Sequence, residues 1–308
     1  MTNEWLKHLA RLYLPVHQYE TSTTKIIYAG YSSVKKNYYM RLLLDGRGHH
    51  TFLGRRLFWD IPGLIKSYKL DMAVSEISFI ALKHFQKYDG FILPEWATTR
   101  INIDRPLCEI CHRNVSDFSN VTRRIRKYNL TPEILRDKES FNYFNEKIFL
   151  PYITKRYGEE ALIDDLSKIW ESSPPPVLLA IREQGVIVGA ALMRKSEESL
   201  NFMRLGLLDG NDEYRLHGVI GALYYFGIVE GQKMGCRYFD LGGTRPFLTD
   251  GLTKFKMGLG AEFVKELSSR KEYLWLGVNE HSTVTKEFLN NNPFMHLNKN
   301  FRLDQHGS

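Results

Sequence analysis

Apolar residues in the second half of the chain fall into short runs separated by turn residues. Val177–Ile181 and Val186–Met193 are rich in aliphatic side chains, and the polar segment Arg182–Gly185 lies between them. This pattern predicts a β-hairpin, because aliphatic runs on either side of a glycine-containing turn favour two antiparallel strands. Asn201–Leu207 has a similar character and predicts a third strand.

Helices and strands alternate after these three strands. Leu216–Lys233 predicts one long helix that is apolar on much of its surface, and Gly235 is placed to end it. The later predictions are a strand, a short helix and two strands: Arg237–Leu241, a helix ending at Met257, Ala261–Leu267 and Tyr273–Val278. This order predicts a mixed α/β layer with a βαβ unit at its centre.

The first half predicts a different series of elements. They are a helix over Asp71–Lys87, extended segments over Gly90–Pro94 and Trp96–Ile103, and helices over Ser116–Tyr128 and Lys138–Gly158. Pro151 is expected to kink or split the last helix, because proline cannot donate the helical hydrogen bond. Three prolines at 174–176 force an extended connection. We therefore expect two domains, 1–172 and 173–308.

Composition and charge add constraints on location and partners. The chain has 308 residues, three cysteines and a net charge of +7. Three cysteines make no disulfide framework at this length, and the N-terminus has no signal-peptide core, so a cytoplasmic location is expected. The longest apolar run, Val219–Val229, is far short of the ~20 residues that a membrane span needs.

The positive charge is partly concentrated in one segment. Arg123, Arg124, Arg126 and Lys127 fall within five residues. Such a surplus indicates a phosphate-bearing partner, such as a nucleotide cofactor, a nucleotide-activated substrate or tRNA. A solvated basic helix face explains the cluster equally well.

Two segments near the C-terminus carry a family resemblance. Tyr238-Phe-Asp-Leu-Gly-Gly243 is followed by Gly251-Leu-Thr-Lys-Phe-Lys-Met-Gly-Leu-Gly260, which contains the pairs Phe255-Lys256 and Leu259-Gly260. With the order of elements around them, they resemble the catalytic domain of Fem-like proteins of the GNAT superfamily. The resemblance is strong over 177–267, fair over 90–160 and poor before 70. It implies tandem GNAT-like domains with a degenerate N-terminal copy, and transfer of an acyl or aminoacyl group to an amine.

The resemblance also suggests catalytic residues. In the family the matching Phe-Lys pair lies at the catalytic centre, so Phe255 is expected beside the donor. Lys256 is then the candidate to stabilise the developing oxyanion or a phosphate. Asp240, Gly242, Gly243 and Thr244 form the loop expected to line the reaction centre, where glycines allow a ligand close to the backbone. The alternative for Asp240 is a tight turn in which its carboxylate accepts local N–H groups.

The donor phosphate is expected at a helix start. Arg215-x-x-Gly218-x-Ile220 matches the first part of the GNAT pyrophosphate loop, and Gly221 lies one position beyond the place of its last residue. This departure leaves acyl-CoA, another activated donor and aminoacyl-tRNA all open. His217 is a candidate base at the same helix start, although a histidine making local bonds is the commoner arrangement.

One other motif points to different chemistry. Cys108-Glu-Ile-Cys111-His112 matches haem attachment, zinc or redox patterns. Haem attachment follows export, and zinc needs four ligands, which no second cysteine pair supplies. The segment is predicted to be a strand edge, and no metal is expected.

The sequence therefore predicts an acyltransferase that acts on a small-molecule or peptide amine acceptor, with acyl-CoA or another activated donor. An aminoacyl-tRNA-dependent transferase and a non-catalytic GNAT-fold binding module are the alternatives.

Overall fold

The structure is a computed structural model that describes residues 12–112, 115–158, 167–170, 173–265 and 272–307. The chain forms two compact units. The first contains Met1–Ala97, Thr244–Thr253 and Val264–Ser308, and the second contains Thr98–Gly243 and Lys254–Phe263. This division differs from the halves expected at 172/173, because the last three strands pair with the N-terminal strands instead of with the hairpin.

Fifteen strands lie within the described residues. They are β1 (Tyr13–Glu20), β2 (Lys25–Ala29), β3 (His49–Leu57), β4 (Met72–Ile77), β5 (Gly90–Pro94), β6 (Ala97–Asn102), β7 (Thr131–Leu135), β8 (Val177–Glu183), β9 (Val186–Ser196), β10 (Ser199–Leu207), β11 (Tyr238–Thr244), β12 (Glu262–Phe263), β13 (Tyr273–Val278), β14 (Phe294–Leu297) and β15 (Leu303–His306).

The α-helices of the same residues are α1 (Ser33–Leu44), α2 (Ile61–Ser67), α3 (Leu82–Phe85), α4 (Leu107–His112), α5 (Val115–Lys127), α6 (Lys138–Tyr143), α7 (Leu150–Tyr157), α8 (Ser167–Trp170), α9 (Asp212–His217), α10 (Val219–Lys233), α11 (Gly251–Gly258) and α12 (Thr283–Asn291). Single 3₁₀ turns occur at Phe58–Asp60, Phe79–Ala81 and Leu208–Gly210, and a π-helical segment occurs at Phe144–Phe149. None of the described helices is long and apolar enough to cross a membrane.

The first unit is built on an eight-stranded sheet in the order β15-β14-β5-β13-β4-β2-β1-β3. Within it β2 and β4 run parallel, while β13 is antiparallel to both β4 and β5. One core of this unit joins sheet residues with Tyr39 and Met40 of α1 and Phe288 of α12. The sheet is therefore mixed and carries helices on its surface.

The second unit is built on a seven-stranded sheet in the order β12-β6-β11-β10-β9-β8-β7. Successive residues of β8 enter two different cores: Leu179 packs with residues of α5 and α10, and Leu178 packs with Phe141 and Phe144 on the other face. A strand buried on both faces has an almost continuous apolar run, which explains the pattern in the sequence. The predicted mixed α/β fold is confirmed in both sheets.

Some elements differ from their predictions. Asp71–Lys87 does not form one helix, because Met72–Ile77 is β4 between β2 and β13, and sheet pairing prevails there over the helical pattern. Only α3 near the end of this segment is α-helical. The expected strand edge at Cys108 is wrong, since α4 begins one residue earlier. The long helix predicted over Leu216–Lys233 is interrupted at Gly218, which has a positive φ of 91°.

Near the C-terminus, the strand expected over Ala261–Leu267 is reduced to β12, and residues 266–271 lie outside the described part of the chain. Pro151 lies in the first turn of α7. A π-helical segment precedes it. Helical structure continues from Lys138 to Tyr157, with changes of helix type at Phe144 and Leu150 and no break at Pro151.

Candidate functional site

In the second unit, β10 and β11 start side by side and then stop pairing. Their parallel register contains three pairs and ends at Asn201↔Asp240, although β10 continues to Leu207 and β11 to Thr244. A bulge in β10 between Phe202 and Arg204 coincides with the end of this pairing. A bulge bends a strand and re-aims its backbone. The result is a wedge between the two strands, defined here as the unpaired ends of β10 and β11.

Lys256 of α11 contacts the backbone at the unpaired end of β11. Its ammonium donates to the carbonyl oxygens of Leu241 and Gly243 at 2.8 Å each, and a third carbonyl, that of Gly242, lies 3.4 Å away. Successive carbonyls of a regular strand point in opposite directions. They converge here because Gly242 has a φ of 72°, a conformation that favours glycine.

The three carbonyl oxygens around Lys256, here called the carbonyl cradle, explain how its ammonium group can be buried. Lys256 is only 3% exposed, and an ammonium removed from water is costly unless its donors are paired. The three oxygens supply that pairing and fix the positive charge at the end of β11. The sequence singled out Lys256 as a catalytic candidate, but it gave no sign that its ammonium is held by three carbonyl oxygens.

Asp240 and Thr244, which lie on either side of Gly242 and Gly243, both make hydrogen bonds. Asp240 Oδ1 accepts the backbone N–H of Gly242 at 2.7 Å, which is the local-turn arrangement weighed as an alternative to catalysis. Thr244 is fully buried, and its hydroxyl lies 2.6 Å from that of Thr253. On β6, the Thr99 hydroxyl donates to the Gly242 carbonyl at 3.1 Å. These contacts make the loop a fixed backbone feature.

After β10 the chain forms the 3₁₀ turn Leu208–Gly210 and the short helix α9, and then reaches the start of α10. Gly218 precedes α10, and no side-chain hydrogen bond caps the helix. A Cβ on Gly218 would come within 2.7 Å of Arg124 Cδ, and one on Gly221 within 2.7 Å of Val121 Cγ2. Both glycines therefore allow α5 to pack closely, and this contact brings a basic side chain to the positive end of the α10 dipole.

Arg215 and His217 lie on α9, before the helix interruption. The Arg215 side chain is half exposed and pairs with Asp212 at 3.1 Å. His217 is the last residue of α9 and directly precedes Gly218, the N-cap residue of α10. Its Nδ1 lies 3.0 Å from Glu183 Oε2, and its ring stacks on Tyr128 with centroids 4.0 Å apart.

Phe255 faces away from solvent toward the core of the second unit. Its ring meets the edge of Tyr224 on α10 with centroids 5.3 Å apart, and Tyr224 stacks on Phe202 at 4.6 Å. Phe202 adjoins the bulge that opens the wedge. The Phe255-Lys256 pair thus contributes one residue to packing and one to the carbonyl cradle.

The corresponding place in the first unit is occupied by the chain itself. Strands β2 and β4 also run parallel, and α1 follows β2. Oε1 of Glu76 accepts the backbone N–H of Ser32, the residue that caps α1, at 2.8 Å and the Tyr28 hydroxyl at 2.5 Å. A Cβ on Gly30 would come within 2.5 Å of the same carboxyl group. An internal carboxylate therefore fills the anion-binding start of α1.

A buried charged cluster at the same edge of the first unit had no signal in the sequence. Lys35 Nζ lies 3.0 Å from Glu95 Oε2 and also pairs with Glu272. Arg245 Nη1 lies 3.7 Å from Glu95 Oε1, and its guanidinium packs over the rings of Tyr38 and Trp96 at 4.5 and 4.2 Å. These residues come from separate segments, so no spacing motif connects them.

Burial and charge shift the ionisation of this cluster. Burial, followed by the hydrogen bond to Glu272, raises the pKa of Glu95 in spite of the nearby Lys35 ammonium. Burial opposes the charge of Lys35, but the hydrogen bond to Glu272 and the charges of Glu76 and Glu95 outweigh it, so the pKa of Lys35 is raised. Lys35 is therefore held as a cation.

The cysteine motif lies on α4. Burial and the proximity of Cys108 raise the pKa of Cys111 to about 11, which is unfavourable for a thiolate ligand or nucleophile. Among the described residues, no three His, Cys, Asp or Glu side chains are grouped to hold a metal ion.

No protein-family model and no curated protein matches the chain. Among solved structures, FemX is similar at 13% identity, covering 85% of this chain and 83% of its own, with a TM-score of 0.46. L-PGS from Bacillus licheniformis is similar at 11% identity, covering 89% and 84%, with a TM-score of 0.43. A GCN5-related N-acetyltransferase from Sphaerobacter thermophilus is similar at 12% identity, covering 87% and 79%, with a TM-score of 0.39. These structures include representatives of the Fem-like and GNAT groups that the sequence resembles.

Proposed function

We propose that the chain is an N-acyltransferase that binds an activated acyl donor, such as acyl-CoA, in the wedge of the second unit. The observation that carries the proposal is the separation of β10 from β11 after three residue pairs, beside a bulge. Unpaired strand backbone can hydrogen-bond an extended donor, and the uncapped start of α10 can receive its phosphates. Arg124 packs against Gly218 at the start of α10, and Arg215 lies just before Gly218 in the chain. Both therefore add positive charge near this helix start.

The chemistry is transfer of an acyl group to an amine. The acceptor nitrogen attacks the donor carbonyl carbon, a C–N bond forms, and the carbonyl electron pair moves onto oxygen. The tetrahedral intermediate then collapses, the bond to the leaving sulfur or ester oxygen breaks, and the leaving group takes the proton that nitrogen loses. Lys256 supplies a fixed positive charge near the developing oxyanion, and the αL turn at Gly242 holds this charge in place.

The first unit is the degenerate copy in this proposal. Glu76 occupies the start of α1 and repels a donor phosphate there, whereas α10 begins without a carboxylate in its first turn. We place the amine acceptor, a small molecule or a peptide, outside the donor wedge.

Aminoacyl-tRNA is the second candidate donor. On α5, Arg123, Arg126 and Lys127 are exposed, and Arg124 contacts Gly218 at the start of α10. A basic helix that reaches the proposed phosphate site would also suit a nucleic-acid backbone. For this donor, transfer is expected to be abolished by ribonuclease and binding to weaken steeply with salt.

Ile220 provides a direct test of the phosphate site. Ile220→Glu adds a carboxylate at the start of α10, where Glu76 of β4 supplies one at the start of α1. The added charge agrees with the helix dipole. Ile220→Gln is the matched control, with nearly the same size and no charge. Donor binding, measured by calorimetry with CoA, acetyl-CoA and aminoacyl-tRNA, is expected to fall at least tenfold in Ile220→Glu and to persist in Ile220→Gln.

The same experiment separates the alternatives. Equal binding by the two Ile220 variants would contradict the donor site. If the wild type binds none of the donors, a non-catalytic binding module explains the fold better. If ribonuclease leaves turnover intact, the tRNA donor is excluded and acyl-CoA remains.

A further inference from the structure

Arg124 of α5 is the basic side chain that lies against the start of α10. A Cβ on Gly218 would come within 2.7 Å of Arg124 Cδ and 2.9 Å of its Cβ, so the stem of the arginine lies along this glycine. In the part of the chain that the structure describes, the Arg124 guanidinium makes no hydrogen bond, ion pair or ring contact. Arg215, by contrast, pairs with Asp212. Of these two arginines, Arg124 is the one whose charge is available to a ligand.

The placement of Arg124 is unfavourable for the protein without a ligand. The start of a helix is the positive end of its dipole, so a cation there lowers stability unless an anion is bound beside it. Gly218 supplies no side-chain cap that would offset the charge. An unpaired cation at an uncapped helix start is expected of a residue that binds an anion, because the ligand then supplies the missing negative charge.

Tyr128 connects Arg124 to the residue before this helix start. Its backbone N–H donates to the Arg124 carbonyl oxygen at 3.0 Å, and the four-residue spacing places the two side chains on the same side of a helical turn. The Tyr128 ring stacks on His217 with centroids 4.0 Å apart and planes 14° apart. His217 directly precedes Gly218. The stack therefore joins the end of α5 to the start of α10.

The His217 ring is itself held in place. Its Nδ1 lies 3.0 Å from Oε2 of Glu183, the last residue of β8, and its Nε2 lies 3.8 Å from Glu213 Oε1. The side chains of His217 and Glu183 are only 19% and 13% exposed, so water has little access to their contact. A hydrogen bond is electrostatically stronger in such surroundings than in water. The ring on which Tyr128 stacks is therefore fixed to the sheet of the second unit.

We propose that Tyr128 is a positioning residue for the phosphate of the acyl donor. Its ring, stacked on His217, holds α5 so that the Arg124 guanidinium stays at the start of α10 and binds the donor phosphate there. Tyr128 does not touch the donor. The inference rests on the proposed function, and it adds the residue that keeps the phosphate-binding arginine in place.

Calorimetry with CoA as the probe and the full chain as the protein tests the inference. Arg124→Met keeps an unbranched stem on Gly218, removes the charge and is expected to weaken CoA binding about tenfold. Tyr128→Leu is expected to weaken it by a similar factor, although it removes no charge. Tyr128→Phe keeps the stacked ring and is expected to bind within about twofold of the wild type. In the Tyr128→Leu/Arg124→Met protein the losses are expected to be non-additive, because both act through one guanidinium.

Thermal melting without donor separates binding from a merely structural role of Arg124. Arg124→Met is expected to raise the melting temperature by about 1–3 °C, because it removes a cation from the positive end of the α10 dipole. An arginine that serves only the packing of α5 would lower the melting temperature when it is replaced. A lower melting temperature of Arg124→Met would therefore count against the inference.

Tyr143→Leu is the matched control, because Tyr143 is a partly exposed tyrosine on α6 of the same unit. It is expected to bind CoA as the wild type does, and circular dichroism verifies that every variant is folded. Additive losses in the double variant, or unchanged binding by Tyr128→Leu, would overturn the inference and leave the donor site standing. Failure of the wild type to bind CoA would overturn it together with the proposed acyl-CoA donor.

Discussion

The backbone N–H of Ser32 donates to Glu76 Oε1 at 2.8 Å, so a side chain of the first unit occupies the anion-binding start of its own helix α1. The α10 helix of the second unit starts at Gly218 without a side-chain cap. Both units thus contain two parallel strands with a helix after the first of them. The helix start is occupied by a carboxylate in the first unit and has no side-chain cap in the second. This difference, more than the sheet order, identifies the second unit as the candidate donor site.

Removal of the Glu76 carboxylate is expected to reopen the site in the first unit. Glu76→Ala leaves the Ser32 N–H without its acceptor and the Tyr28 hydroxyl with only the Ser32 carbonyl oxygen, 3.3 Å away. It is expected to cost about 1–3 kcal/mol of unfolding free energy. Millimolar phosphate is expected to raise the melting temperature of this variant more than that of the wild type. Thermal melts with and without phosphate provide the measurement.

Glu133→Ala is the control for this result, because Glu133 pairs with Arg182 on the sheet of the second unit. Phosphate is expected to have no selective effect on it. If Glu76→Ala responds to phosphate no more than Glu133→Ala does, the interpretation of Glu76 as an internal anion is wrong.

Lys256 is expected to contribute to stability as well as to transfer. Lys256→Met removes the ammonium from three buried carbonyl oxygens and is expected to lower the unfolding free energy by about 3 kcal/mol. Lys254→Met, at an exposed position of the same helix, is expected to stay within about 0.5 kcal/mol of the wild type. Urea unfolding distinguishes the two.

Transfer activity tests the second role of Lys256. Lys256→Ala, assayed at a temperature where it is folded, is expected to lose activity while Lys254→Ala keeps it. Unchanged transfer by a folded Lys256→Ala protein would refute the catalytic assignment and leave a structural lysine. A stability loss without an activity loss therefore separates the two roles.

The strands of the second unit were predictable because their burial is encoded locally. Val177–Ile181 and Val186–Met193 are apolar nearly throughout, and the structure buries both faces of this hairpin. The strand at Met72–Ile77 was missed because its identity depends on pairing with β13, almost two hundred residues later. A local pattern contains no information about that partner.

The sequence singled out candidate residues but gave none of their contacts. Phe255-Lys256 and Gly242-Gly243 were identified from a short motif, whereas the carbonyl cradle depends on one positive φ angle. The cluster of Lys35, Glu95 and Arg245 could not be anticipated, because the three residues come from segments far apart in the sequence and only the fold brings them together.

Glu95 is expected to make stability depend on pH. Burial and the hydrogen bond to Glu272 raise its pKa above the ordinary value of 4.5, so the folded state holds its proton to higher pH than the unfolded state does. The associated stability is fully present below 4.5 and is lost as pH rises through the raised pKa. In Glu95→Gln the side chain does not titrate, so this loss of stability is absent.

The difference in melting temperature, Glu95→Gln minus wild type, is therefore expected to become more positive between pH 4.5 and pH 8. Glu213→Gln, whose side chain is 65% exposed, is the control and is expected to show a smaller change. A difference that becomes more negative with rising pH would show that the Lys35 ion pair outweighs the burial of Glu95.

Cys111 is expected to be a slow nucleophile. Burial and the charge of Cys108 raise its pKa to about 11, and alkylation requires the thiolate. At pH 8 roughly one Cys111 in a thousand is then ionised, against roughly a quarter of free thiols with a pKa of about 8.5. Iodoacetamide is expected to modify the exposed Cys108 at least tenfold faster, measured by mass spectrometry of the two peptides.

The pH dependence of the Cys111 rate distinguishes a raised pKa from poor access. With the raised pKa, the rate climbs about tenfold per pH unit up to pH 10, whereas an ordinary thiol reaches its plateau near pH 9. Cys108→Ser is expected to speed modification of Cys111, because it removes the nearby charge that raises the pKa. A plateau near pH 9 would mean that Cys111 ionises normally, and a metal or redox role for the Cys108–Cys111 pair would then have to be considered again.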